Sequence, residues 1–214
     1  MLVSHQHRLI RLLYPPFDRT EKDPGYIKGY IPGVRENGGQ YTHGALWLVK
    51  AFAESGMGEK SVKYFNMINP VNHSIHKEDA DRYKVEPYVA TADVYGESPL
   101  SGAGGWSWYT GSGGWMYRVA LESILGFRLT PSGFEIQPSI SVSWPHFHIR
   151  YIPDDKGTEY EIKVENPEGL ENGYLSGRID GDPIKEIART LDIPVKSDGK
   201  VHKIDLTINR KKNK

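Results

Sequence analysis

The sequence predicts mixed α and β structure in separate layers, helices first and an antiparallel β-sandwich after them. Three observations carry that expectation. Apolar residues recur at helical spacing from about residue 40 to 126. After Gly126 they alternate in short runs, as on a strand with one buried face. Turn-forming residues interrupt those runs roughly every 8–12 residues, the rhythm of a sandwich. The expected division is residues 1–126 for the helical part with its N-terminal loops, and 127–214 for the sandwich.

Taken in order, the first forty residues show little periodicity. Tyr14-Pro-Pro, Asp23-Pro-Gly, Ile31-Pro-Gly and Glu36-Asn-Gly-Gly are turn signals, so a long loop is expected there. THGALWLVKAFAE, Thr42 to Glu54, is a strong helix former that is apolar on nearly all sides except at Lys50. Glu59 to Met67 reads as a shorter amphipathic helix stopped by Asn69-Pro70, and Lys77 to Arg82 as a polar one. EPYVATADVY, Glu86 to Tyr95, suits either helix or strand, and its helical neighbours favour helix. A Gly- and Trp-rich segment, Ser101 to Gly114, leads into a second buried helix from about Trp115 to Leu125. Two helices apolar on several faces call for more neighbours than this chain supplies. The expectation is therefore the C-terminal part of a larger helical barrel.

Strands are expected at Phe127–Leu129, Phe134–Gln137, His146–Ile152, Glu159–Glu165, Leu175–Ile179, Ile193–Val195 and Val201–Ile208. Tyr160, Ile162 and Val164 should face the core. Asp180-Gly181 and Asp198-Gly199 are hairpin turn signals.

Composition excludes several function classes. The 214 residues carry 27 basic and 27 acidic side chains, no net charge and no Cys. The balance gives no electrostatic footprint for nucleic acid, and neither a disulfide nor a Cys-ligated metal can form. His and Arg interrupt the apolar N-terminus, so it is neither a signal peptide nor a membrane span. With 38% hydrophobic residues and a mean hydropathy of −0.54, a soluble, cytoplasmic chain is expected. His5/His7, His73/His76 and His146/His148 have ligand-like spacing but no accompanying carboxylates, so no metal site is expected.

Two constellations could carry chemistry. Arg35-Glu36-Asn37-Gly38-Gly39-Gln40-Tyr41-Thr42-His43-Gly44 sets a cation, a carboxylate, amides and a His in a Gly-rich loop that opens a helix. His43 falls in the first turn, where the helix dipole and free N–H groups favour an anion. Alternatively, Asn37 and Gln40 satisfy loop backbone and Thr42 caps the helix. The second constellation, Gly104 to Trp115, places Thr110, Gly111 and Ser112 just before a helix, with Trp106, Trp108 and Tyr109 able to stack on sugar faces or to anchor the loop. Glu86 and Asp93 flank the apolar run between them, each either facing a cleft or buried for structural reasons.

YIKGYIPGVRENGGQYTHGALWLVKAF, FNMINPVNHS, RYKVEPYVATADVY and GGWSWYTGSGGWMYRVALESILGF, in this order and spacing, resemble the C-terminal part of glycoside hydrolase family 94. These are the inverting cellobiose- and chitobiose-phosphorylase-like enzymes, and the TADVY and YTHG variants look most like the cyclic β-1,2-glucan synthase and β-1,2-oligoglucan phosphorylase type. The resemblance implies the last helices of an (α/α)6 barrel followed by a sandwich. It implies direct attack of inorganic phosphate on an anomeric carbon, with inversion and no other cofactor. It places phosphate on His43, Thr110 and Gly111, and the sugar on Arg35, Glu36 and Gln40. The partners it implies are a β-linked glucose oligosaccharide with phosphate or glucose 1-phosphate. The family's general-acid Asp belongs to a Trp-Asn-Asp-type segment that does not occur in these residues. The expectation is a chain nearly inactive alone, with an upstream half as a separate chain and a homo-oligomer as candidate partners. A non-catalytic sugar-binding protein or an inactive remnant is the alternative.

Overall fold

The computed structural model describes residues 1–108, 110–184 and 186–210; the side chain of Thr110 also lies outside the description. It is mixed α and β, as expected, and its contacts divide it into two units. Unit 1 comprises Met1–Ala51 and Lys63–Val119, and unit 2 comprises Phe52–Val62 and Ala120–Lys214.

Unit 1 opens with a small hairpin of β1 (Val3–Ser4) and β2 (Leu9–Ile10) inside the stretch expected to be all loop. Two-residue strands leave too short a pattern to see in sequence. A 3₁₀ turn, Gly25–Gly29, and β3 (Gln40–Tyr41) precede α1 (Thr42–Glu54), whose bounds match the expectation. Ala45, Leu46 and Val49 are buried, but Trp47 is half exposed, so α1 is less enclosed than its composition suggests. α2 (Gly58–Ile68) ends at Asn69, which caps a 3₁₀ turn at Pro70–His73 by accepting the Val71 N–H. α3 (Lys77–Tyr83) stops at Lys84 in the left-handed region. Tyr83, Leu9 and Val94 form a buried cluster.

Residues 86–95 are not helical, contrary to expectation. The segment opens with a turn in which the Val89 N–H donates to the Glu86 carbonyl, and it contains β4 (Asp93–Val94), which pairs antiparallel with β3. Pro87 and the β-branched Val89, Thr91 and Val94 suit extended backbone, but the partners that satisfy it lie far away in sequence. α4 (Thr110–Arg118) continues into a π-helical turn, Val119–Ile124. The helix therefore begins about five residues before the expected Trp115, and Thr110 and Gly111 lie within its first turn rather than ahead of it.

Unit 2 is a two-sheet sandwich. β5 (Phe127–Thr130), β6 (Gly133–Ile136), β7 (His146–Tyr151), β8 (Glu159–Glu165), β9 (Tyr174–Ile179), β11 (Leu191–Pro194) and β12 (Val201–Asn209) overlap the seven expected strands, and a two-residue β10 (Asp182–Pro183) was not among them. One sheet has the order β10-β9-β12-β8-β7 and the other β11-β6-β5. Pairing is antiparallel except between β12 and β8, which run parallel. Phe134 meets Tyr160 edge-on at 5.3 Å, and Phe127 meets Tyr151 at 5.2 Å, joining the two sheets. Tyr160, Ile162 and Val164 are each at most 2% exposed, as their alternation predicts.

The two hairpin signals diverge. Asp180 and Gly181, at φ +54° and +88°, form the tight turn between β9 and β10. Asp198-Gly199 does not make a hairpin, because β11 and β12 belong to different sheets. Asp198 instead reaches the ring of His202, at 3.1 Å, while Asp180 takes the other ring nitrogen at 2.7 Å. His202 is buried and stacks on Tyr160. Its hydrogen bond to Asp180 raises its pKa despite opposing burial, with Asp198 adding to the rise. No helix among the described residues is long and apolar enough to cross a membrane.

Because folding raises the His202 value, its contribution is complete below about pH 6.5 and is lost as the pH rises through the folded value. Thermal unfolding is therefore expected to occur at a lower temperature at pH 8.5 than at pH 6. His202→Gln should flatten that dependence, which circular dichroism melts across the range would show.

Candidate functional site

Backbone pairing in unit 1 gathers the segments that the sequence singled out. Tyr41 lies opposite Asp93, and the Thr42 N–H donates to the Ala92 carbonyl at 2.9 Å. On the other side of the same strand, the Ala92 N–H donates to the Trp106 carbonyl and the Gly105 N–H to the Asp93 carbonyl. The Ser112 Oγ, fully buried in the first turn of α4, donates to the Ala90 carbonyl at 3.1 Å. The starts of α1 and α4 are thus both tied to residues 90–92. One turn further along, Trp47 and Trp115 meet edge-on at 6.0 Å.

His43 lies in the first turn of α1, its ring between Tyr41 at 5.4 Å and Trp47 at 6.4 Å. Gly111 is exposed in the first turn of α4, and the Thr110 backbone opens that helix. Helix starts with free N–H groups attract anions.

Arg35 and Glu36 form the tip of a tight turn closed by an antiparallel bridge between Val34 and Asn37. Arg35 adopts φ +47°, a left-handed conformation rare for a side chain of its kind, and Gly38 at +90° completes the loop. The Arg35 guanidinium lies 5.5 Å from the Tyr30 ring and 5.3 Å from the Trp106 ring, with its Nε 4.0 Å from Asp93 Oδ2. A hydrogen bond to the Tyr30 hydroxyl raises the Arg35 pKa against the effect of burial, aided by Asp93 and Glu36. Glu36 keeps Oε2 buried with no hydrogen-bond partner, leaving a carboxylate oxygen able to accept a ligand hydroxyl.

Asn37 satisfies the loop: its Oδ1 accepts the Phe17 N–H and its Nδ2 donates to the Tyr30 carbonyl. Gln40, expected at the sugar, is engaged within the fold. It is 1% exposed, with Oε1 accepting the Ile10 N–H and Nε2 donating to Thr42 Oγ1. Its amide anchors β2 to the start of α1, the structural role the sequence offered as its alternative. Trp106 and Trp108 are 61% and 64% exposed. The Trp108 indole donates to Glu86 at 2.8 Å and its ring meets Tyr88 edge-on. Tyr109 lies outside the described residues.

Asp93 was one of two undecided carboxylates in the sequence, and the fold makes it central. It is 2% exposed, and Oδ1 accepts the Trp106 N–H at 3.1 Å. Burial raises its pKa, against the opposing pull of the Trp106 N–H and Arg35. Gly105 is required beside it, since a Cβ there would lie 2.4 Å from Asp93 Oδ1. Nothing in local spacing marks Asp93; its partners stand 58 residues before and 13 after it. Among the described residues no three His, Asp or Glu side chains converge as a metal site. His73 instead accepts burial, which lowers its pKa, and stacks on Tyr83.

The catalytic-domain profile of the glycosyl hydrolase 94 superfamily matches residues 2–126, more than half of the chain, and the chain belongs to that superfamily. It is 52% identical over 163 residues to the cyclic beta-(1,2)-glucan synthase NdvB of Rhizobium meliloti (strain 1021), covering 76% of this chain and 6% of that protein. It is 29% identical over 178 residues to the N,N'-diacetylchitobiose phosphorylase of Vibrio proteolyticus, 82% of this chain and 22% of that one. Identity to the solabiose phosphorylase of Paenibacillus borealis is 28% over 195 residues, 91% of this chain and 24% of that one. The chain therefore spans less than a quarter of the length of these relatives.

Asp93→Ala should destabilise unit 1 by about 2–3 kcal/mol, because it removes the buried acceptor of the Trp106 N–H and the carboxylate beside Arg35. Asp93→Asn keeps an acceptor for Trp106 and should cost less than half as much. Chemical denaturation of the two variants measures the difference.

Proposed function

We propose that this chain supplies the phosphate site and part of the sugar site of an inverting β-glycoside phosphorylase or cyclic β-1,2-glucan synthase-type enzyme. In this reading it is the C-terminal part of an (α/α)6 barrel together with the sandwich that follows. The attachment of both helix starts to residues 90–92 is the observation that carries the reading. His43 and the first-turn N–H groups at Thr110 and Gly111 would hold the phosphate oxygens. Arg35 and the unpartnered oxygen of Glu36 would hold hydroxyls of the acceptor sugar. Gln40 would serve by fixing the start of α1.

A phosphate oxygen forms the new bond to the anomeric carbon as the bond to the leaving oxygen breaks. That oxygen takes a proton from a carboxylic acid, and an α-sugar 1-phosphate results with inversion. Proton donation is assigned to no residue of this chain; Asp93 is too buried, and its Oδ1 is already engaged by Trp106. Phosphate is the co-substrate, and no cofactor enters the reaction.

The test is phosphate release from glucose 1-phosphate with β-linked glucose acceptors, for this chain alone and together with the rest of a catalytic unit. Release that requires this chain supports the reading. In the complete enzyme, His43→Ala should raise the KM for phosphate about 10- to 100-fold, the loss of a charge-assisted hydrogen bond, with a much smaller change for the sugar. Equal changes for both would count against a phosphate role. The exposed Trp106 and Trp108 favour a second reading, a sugar-binding protein without turnover. Oligosaccharide binding with no phosphate dependence, and no release in any mixture, would select it.

A further inference from the structure

Unit 2 contains a concavity of about 380 Å³ that the proposed reaction does not use. Ser123, Arg128, Gln137, Ser139, Asn172 and Arg189 line it, and Glu54 stands among its lining residues. Its volume lies near the lower end of the roughly 300–1,000 Å³ range of small-ligand sites. Polar groups that usually find partners within a fold remain unused here. The Arg128 Nε donates to the Glu122 carbonyl at 3.0 Å, which fixes the guanidinium and leaves its two Nη groups available. Arg189 rests 5.3 Å from the Tyr174 ring. Among the described residues neither arginine is in ion-pair range of a carboxylate.

The amides and hydroxyls follow the same pattern. Asn172 Nδ2 donates to the Gly56 carbonyl at 2.7 Å, so Oδ1 is left as a positioned acceptor. The Gln137 side chain makes no hydrogen bond among the described residues. Ser139 is 4% exposed, and its Oγ is buried without a partner.

We propose that this concavity binds a phosphorylated monosaccharide. Two guanidinium forks suit the oxygens of a phosphate monoester, whose charge of about −1.5 to −2 matches them better than a single carboxylate does. The amides and hydroxyls suit sugar hydroxyls, which both donate and accept. Every lining residue belongs to unit 2, whereas His43, Arg35 and Glu36 belong to unit 1, so the two sites can be tested separately.

The experiment follows the side-chain amide signals of Gln137 and Asn172 by ¹⁵N NMR as glucose 6-phosphate, glucose 1-phosphate, glucuronate, glucose or inorganic phosphate is added. Saturable shifts with the hexose phosphates, at concentrations at least tenfold below those needed for glucose, glucuronate or phosphate, are expected. They should persist in His43→Ala, which separates this site from the proposed phosphate site. Arg189→Gln, on an exposed side chain, should weaken binding at least tenfold, and Arg128→Met similarly. Unmoved amide signals, equal response to glucose or phosphate alone, preference for glucuronate, or unchanged binding in Arg189→Gln would each overturn the proposal.

Discussion

The backbone of residues 90–95 is the constraint on which unit 1 depends. Its amides and carbonyls are satisfied by β3 on one side and by residues 103–106 on the other, with the Ser112 hydroxyl at its end. A buried strand must pair its polar backbone groups, and here that requirement fixes three distant loops against one another. The starts of α1 and α4 acquire a shared location as a consequence. So does Asp93, which stands in the centre of the ladder with Arg35 above the Trp106 ring. The site is therefore assembled by main-chain hydrogen bonding first, and its side chains are arranged on that framework.

The Arg35 loop shows how the framework tolerates cost. A left-handed arginine at the tip of a two-residue turn is unfavourable by about 1–3 kcal/mol. Asn37 compensates by tying Phe17 and Tyr30 to the loop, and Asp93 and two aromatic rings steady the guanidinium. Strain held in place in this way keeps the guanidinium at one position beside Asp93 and the Trp106 ring. Glu36 stands beside it with an unused buried oxygen. Unit 2 obeys a different principle. Its sheets are joined by apolar alternation and a cluster of four aromatic rings.

The sequence by itself determined the order of helices and strands, the bounds of α1 and β8, and the inward face of the sandwich. These follow from local periodicity, which the chain carries whatever its neighbours are. It also determined family membership, through motifs whose order is itself local information. Tertiary structure alone decided that residues 86–95 form a turn and a strand rather than a helix, that Asp198 serves His202 instead of a hairpin, and that β12 runs parallel to β8. It turned Gln40 into an anchor and Asp93 into the centre of the candidate site. In each case the deciding partner lies well outside the local sequence pattern, and no periodicity within a short window can encode a hydrogen bond made across the fold.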